Sequence, residues 1–182
     1  MVTLRRRFKR PLNRTDAIAW DYPSSPALKG RGGLARILIA EDNAEIRALV
    51  SSILVEEGHK VSVAQNGQQA LDMMLEDPPD VLLLDIMMPQ MDGYTVLKEV
   101  KSSGIRDAMK IMILTAKTSE SDWVRGYKLG ADAYITKPFD IDELMNQIEE
   151  LLGMTKDQLR ARREQELDKA QLLSRLESIF DT

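Results

Sequence analysis

Four consecutive apolar residues, Val81, Leu82, Leu83 and Leu84, run into the carboxylate of Asp85, and Pro89 and Asp92-Gly93 follow closely. A run this short and this uniformly apolar fits a strand buried on both faces, as in parallel sheets covered by helices. The proline and the Asp-Gly pair then punctuate a loop. Asp85 is thereby expected at the carboxyl end of a central strand, the edge where open α/β sheets place their chemistry. Taken alone, an Asp there serves equally well as a strand terminator that opens a turn.

The flanking sequence repeats the pattern. Residues 34–40 read as a strand that ends in Glu41-Asp42-Asn43. Ile46, Leu49, Val50, Ile53 and Leu54 then share one side of a helix closed near Gly58. A short strand at 61–64, the Asn66-Gly67 turn and a helix at 68–75 precede the Asp85 strand, and a helix at 94–101 follows it. Residues 111–114 form a strand ending at Thr115, and 119–129 a helix closed by Gly130. Residues 131–135 form a last strand that leads into Thr136-Lys137-Pro138. Asp140 caps a helix over 140–152, with Glu143 completing a capping box. Strand and helix alternate at a spacing suited to parallel pairing through right-handed crossovers. The prediction is an α/β domain over residues 34–152, a five-stranded parallel doubly wound sheet of the flavodoxin-like kind.

The two ends read differently. Residues 1–33 carry eight Lys or Arg against two Asp, three prolines and no sustained periodicity, and are expected to be a disordered basic arm. Gly153 is expected to break the preceding helix, and Thr155 with Gln158 to start another through a capping box. Residues 153–182 therefore predict a helical or coiled-coil extension. Leu159, Leu173 and Phe180 fall at one heptad position, but Glu166 shares it and Arg162 and Lys169 fill the next seam, so the heptad is not clean. Docking on a partner and self-association as a homodimer both fit.

Composition removes several classes of function. The absence of cysteine excludes disulfides, thiolate chemistry and cysteine-based zinc sites, and fits a reducing, cytoplasmic setting. His59 is the single histidine, so no histidine cluster exists. No segment has the length of a membrane span, and the basic start is not followed by the apolar region of a secretory signal. The net charge of -4 conceals an acidic middle, because residues 1–33 are basic and residues 153–182 carry six charges of each sign. A strongly acidic domain is a poor general binder of nucleic acid and a plausible host for a divalent cation.

Aligned parallel strands bring Glu41-Asp42, Asp85, Thr115 and Lys137 to one edge of the sheet. Carboxylates gathered in a small volume repel unless a cation joins them, and a hard ion such as Mg²⁺ suits all-oxygen donors. A carboxylate beside such an ion, a hydroxyl and an ammonium is suited to phosphoryl transfer, with Asp85 as nucleophile and Lys137 neutralising charge.

Glu41-Asp42, Asp85 with Met88-Pro89 and Asp92-Gly93, Thr115-Ala116, and Lys137-Pro138-Phe139 together resemble the receiver domain of two-component response regulators, over residues 35–152. The resemblance implies that Asp85 accepts a phosphoryl group from a sensor histidine kinase or a histidine phosphotransfer protein. It implies Mg²⁺ held by Glu41, Asp42, Asp85 and the Met87 backbone carbonyl, with Thr115 and Lys137 reading the phosphoryl group. It also implies that Tyr134 is an aromatic switch that turns inward on phosphorylation, and that Met87 and Lys117 tune loss of the group. Such a protein is a phosphoacceptor that supports its own phosphoryl transfer and slow autodephosphorylation, and is not an enzyme with external turnover.

No DNA-binding domain is visible after residue 152, so output through an unidentified downstream protein partner is expected. The alternative is a degenerate receiver that acts as a constitutive interaction or dimerisation module, which the intact acid, hydroxyl and lysine set argues against. A Mg²⁺-dependent phosphohydrolase of related fold would want a second Asp where Met87 stands.

Overall fold

The computed structural model describes residues 34–116 and 119–180. The expected basic arm over 1–33 lies outside these residues, as does Lys117. Five parallel strands, β1 (Arg36–Ala40), β2 (Lys60–Ala64), β3 (Val81–Asp85), β4 (Lys110–Thr115) and β5 (Ala133–Thr136), pair in the order β2-β1-β3-β4-β5. Six helices accompany them among the described residues: α1 (Ala44–Glu56), α2 (Gly67–Glu76), α3 (Gly93–Ser102), α4 (Glu120–Leu129), α5 (Ile141–Gly153) and α6 (Lys156–Phe180). The expected five-stranded doubly wound sheet is the observed one. A 3-10 turn at Ile105–Ala108 was not anticipated.

The alternation of side chains along each strand divides the core in two. Leu82 and Leu84 of β3 join Leu38, Ile111 and Ile113 under Met74, Leu97 and Val100 on one face. Val81 and Leu83 join Ile37, Ile39, Met112 and Leu114 under Val50, Leu54, Leu144 and Ile148 on the other. All five residues of β3 are buried, which is why its sequence is apolar without alternation. Truncating any one of Leu82, Leu83 or Leu84 to Ala removes a side chain with no exposed surface, at a typical cost of about 2–5 kcal/mol.

Local signals set the helix ends. Asn43 caps α1 through its side-chain oxygen, and Gly58 supplies the left-handed residue beyond its C-terminus at φ 91°. Asp140 accepts from the N–H groups of Asp142 and Glu143 to start α5. The expected break at Gly153 is one residue too early. Gly153 is still helical, and the chain becomes extended at Met154. Nothing approaches within 4 Å of a side chain placed at Gly153, so no steric demand ends the helix there. The Lys110 ammonium donates to the carbonyls of Leu151, Leu152 and Met154 at 2.6, 2.8 and 3.1 Å. A cation at the negative end of α5 satisfies carbonyls that the helix itself leaves open.

The predicted capping box forms. The Thr155 N–H donates to Gln158 Oε1 and the Gln158 N–H to Thr155 Oγ1, and α6 starts there. α6 does not stand free, because it packs on α4. No helix among the described residues is long and apolar enough to cross a membrane.

Candidate functional site

The site lies where the carboxyl ends of β1, β3, β4 and β5 meet. Parallel register places Ala40 beside Leu84, Asp85 beside Leu114, and Thr115 beside Thr136. Glu41, Asp85, Thr115 and Lys137 are thereby assembled from positions up to 96 residues apart. Glu41 and Asp85 are buried, at 1% and 4% exposed, whereas Asp42 faces solvent.

Lys137 reaches across the gap. Its ammonium donates to Glu41 Oε2 at 2.6 Å and to Asp85 Oδ2 at 2.8 Å. Burial pulls the Lys137 pKa down, but the hydrogen bonds and charges of Asp85 and Glu41 outweigh it and hold it above the ordinary lysine value. Burial pushes Glu41 the other way, above the usual carboxylate range, and its bond to Lys137 only partly offsets that. Among the described residues, the Lys137 ammonium pairs with two of three neighbouring carboxylates. Glu41, Asp42 and Asp85 each offer an oxygen, all within 4.8 Å of one another. That surplus of hard oxygen donors and negative charge fits a small divalent cation.

Other residues singled out in the sequence lie around this pair. The Met87 N–H donates to Asp85 Oδ1 at 3.0 Å, so the loop after β3 orients the Asp85 carboxylate. The Met87 side chain stands at the mouth of the site, 57% exposed. Thr115 is fully buried at the tip of β4, and its carbonyl accepts from the Lys137 N–H at 2.9 Å. That bond ties the two strand tips together. Gly93 lets the loop close, because a Cβ there would lie 2.4 Å from the Asp85 carbonyl oxygen.

Tyr134, the residue expected to be a switch, is turned inward, with its hydroxyl donating to the Asp122 carbonyl at 3.2 Å. Its ring lies 5.1 Å from Tyr127 and 6.0 Å from Trp123. The hydroxyl fills a niche at Gly126, where a Cβ would come within 1.5 Å of it. Tyr94 joins the same cluster by donating to Asp122 Oδ1 at 2.9 Å. Burial, foremost, drives the Tyr134 pKa far upward, so the hydroxyl stays a donor. Sequence reasoning missed Gly126 and Asp122. A glycine inside a helix costs stability relative to alanine, and that signal points to a packing reason at position 126.

A second buried cluster, also unanticipated, lies at the opposite edge of the sheet. Asp132, fully buried before β5, accepts from Arg106 Nη2 at 2.7 Å and from the Ile111 N–H at 2.8 Å. Arg106 also donates to the carbonyls of Gly130 and Met109. Arg163 of α6 places Nε 3.0 Å from Asp132 Oδ1, off hydrogen-bond alignment.

Comparison with known proteins agrees with this geometry. Residues 37–149 match the family model described as the response regulator receiver domain. The chain is 41% identical over 121 residues to the response regulator MprA of Mycobacterium avium, a match covering 66% of this chain and 52% of that protein. The chain therefore spans about half the length of the relatives of this kind. Among solved structures, the receiver domain of the Francisella response regulator 1452 superposes with a TM-score of 0.61 at 34% identity, covering 65% of this chain and 96% of that one. NtrX from Brucella abortus superposes with a TM-score of 0.60 at 25% identity, covering 81% of this chain and 30% of that one.

Proposed function

The chain belongs to the response regulator receiver domain family, and from that premise we propose that Asp85 accepts a phosphoryl group from a phosphohistidine and signals through contact with another protein. The observation that carries the reading is the Asp85–Lys137–Glu41 cluster, with Asp85 and Glu41 buried and Asp42 and Met87 exposed beside them. The donor is a sensor histidine kinase or a histidine phosphotransfer protein.

In the transfer, an Asp85 oxygen forms a bond to phosphorus as the phosphorus–nitrogen bond of the phosphohistidine breaks. The electron pair leaves with the imidazole, which takes up a proton. Lys137 stands within reach of both carboxylates and neutralises charge on the transferred oxygens. Thr115, at the adjoining strand tip, supplies a hydroxyl to the phosphoryl group, and Met87 holds the acceptor carboxylate in place. Glu41, Asp42 and Asp85 would hold Mg²⁺, with the Met87 carbonyl as a further ligand. When bound, the ion supplies positive charge to the oxygens in transit. Loss of the phosphoryl group to water returns the carboxylate, so the protein is a phosphoacceptor and not a turnover enzyme. Its place of action in this reading is the cytoplasm, and its downstream partner is a protein.

The test is labelling of the purified chain by a small phosphodonor with Mg²⁺. Wild type is expected to take up one phosphoryl group, and Asp85→Asn none. Equal labelling of the two would remove Asp85 as the acceptor. No labelling of wild type would favour the constitutive interaction module.

A further inference from the structure

α6 has 25 residues and α4 has ten, so the two are about 38 and 15 Å long. They run in opposite directions. Leu159, early in α6, sits in the core beside Leu151, and Arg163 reaches Asp132, just past the C-terminus of α4. One turn further on, the charges of Glu166 and Arg162 act on the Tyr127 hydroxyl, so α6 climbs α4 from its end toward its start. The buried and half-buried residues Leu159, Arg163, Glu166, Ala170 and Leu173 follow alternating steps of four and three, the spacing of a helix seated along another helix. Leu159 and Ala170 are 5% and 2% exposed, whereas Leu172 on the other side is 59% exposed.

On α4, Glu120, Trp123 and Tyr127 share one face at helical spacing, and Tyr127 is the one that feels the charges of Glu166 and Arg162 on α6. Trp123 and Tyr127 are the two rings that flank Tyr134. What presses on that face therefore presses on Tyr134. At the base, Arg163 meets Asp132 and Arg162 meets Glu150 at 3.1 Å. Toward the start of α4, Trp123 Nε1 and Glu120 Oε2 are buried with no hydrogen-bond partner among the described residues.

We propose that the outer face of α4 is a helix-docking surface with α6 as its resident occupant in cis, and that α6 clamps α4 and, through Trp123 and Tyr127, holds Tyr134 inward. A partner helix that takes the same face has to lift α6 first. The importance of this for signalling rests on the reading of Tyr134 as a switch, but the clamp itself does not.

Ala170→Arg in the full chain drives a charged side chain into the seam. Amide exchange of residues 120–129 and 133–136 is expected to rise at least about tenfold, while peptides of β1 and β3 keep the wild-type rate. Fluorotyrosine NMR, with the Tyr134 signal assigned by Tyr134→Phe, is expected to show a second resonance. Leu172→Arg, on the exposed side, is expected to change neither. If Ala170→Arg unfolds the sheet, Arg163→Ala supplies the same reading with a smaller rise. Free exchange of α6 with an unchanged α4 and Tyr134 would make α6 a passenger and overturn the proposal. An equal effect of Leu172→Arg, or an α6 that stays protected in both seam variants, would also overturn it. No phosphodonor or cation enters the measurement, so it stands or falls separately from the assignment of Asp85 as acceptor.

Discussion

Asp85 and Asp132 are both buried aspartates at strand ends, one at each edge of the same sheet, and their surroundings are opposite. Around Asp85 the charges of the described residues do not balance, because three carboxylates gather where one ammonium pairs with two of them. Around Asp132 two guanidinium groups and a backbone N–H meet one carboxylate. The first cluster has oxygen donors to spare and invites a cation and an anion in transit. The second is largely satisfied from within and behaves as a fastening. Burial and charge alone do not separate a site from a strut; the sign and size of the local imbalance do.

Removing each member should expose that difference. The largest effect on stability is expected at Asp132→Ala, which leaves Arg106 buried without its counter-ion. Breaking a buried pair in this way costs about 3–5 kcal/mol, measurable as a lower urea midpoint, and labelling by a phosphodonor should survive in the fraction that folds. Lys137→Met should do the converse. The rate of labelling is expected to fall about 100-fold, in line with loss of a charge-stabilising donor, while the urea midpoint moves less than for Asp132→Ala.

Added Mg²⁺ sharpens the contrast further. At a concentration 100 times its dissociation constant, a ligand that binds only the folded chain adds about 2.7 kcal/mol, visible as a higher melting temperature. Wild type and Asp132→Asn should both show that gain, and Asp85→Asn should lose most of it. An equal gain in all three proteins would place the cation elsewhere.

The smallest effect is the pH dependence of the site cluster. Lys137 is held above its ordinary value, so its contribution to stability is complete below about pH 10.4 and is lost as the pH rises through the folded value. Glu41 is also raised, so the folded chain binds its proton more tightly and gains stability as the pH falls toward the carboxylate range. Denaturant titrations of wild type against Glu41→Gln should show the acid-side gain only in wild type. A gain kept by Glu41→Gln would assign it to another carboxylate.

Much of the fold and of the site edge was legible because it is written in short, local signals. The uniform apolar run of β3, the Asn43 and Asp140 caps and the Thr155–Gln158 box each act within a few residues. Glu41, Asp85 and Lys137 meet because parallel strands end together, a rule of topology that needs no side-chain detail. The Tyr134 setting was not legible. It depends on a niche at Gly126 and on Asp122, and no local pattern encodes that conjunction. The imperfect heptad of α6 has a matching explanation. Glu166 and Arg163 look wrong for a seam between two identical helices, yet they suit a seam in which one helix passes a buried aspartate and a tyrosine.

Lys110 fixes one further property. Its ammonium grips the last carbonyls of α5 and that of Met154, so the joint from which α6 springs is fastened to β4, the strand that also carries Thr115. For a rod fastened at that joint, the displacement that any rotation there gives its far end is set by its length. A tilt of about 10° at the joint carries the far end of a rod of about 38 Å through roughly 7 Å, a large stroke from a small motion at the fulcrum.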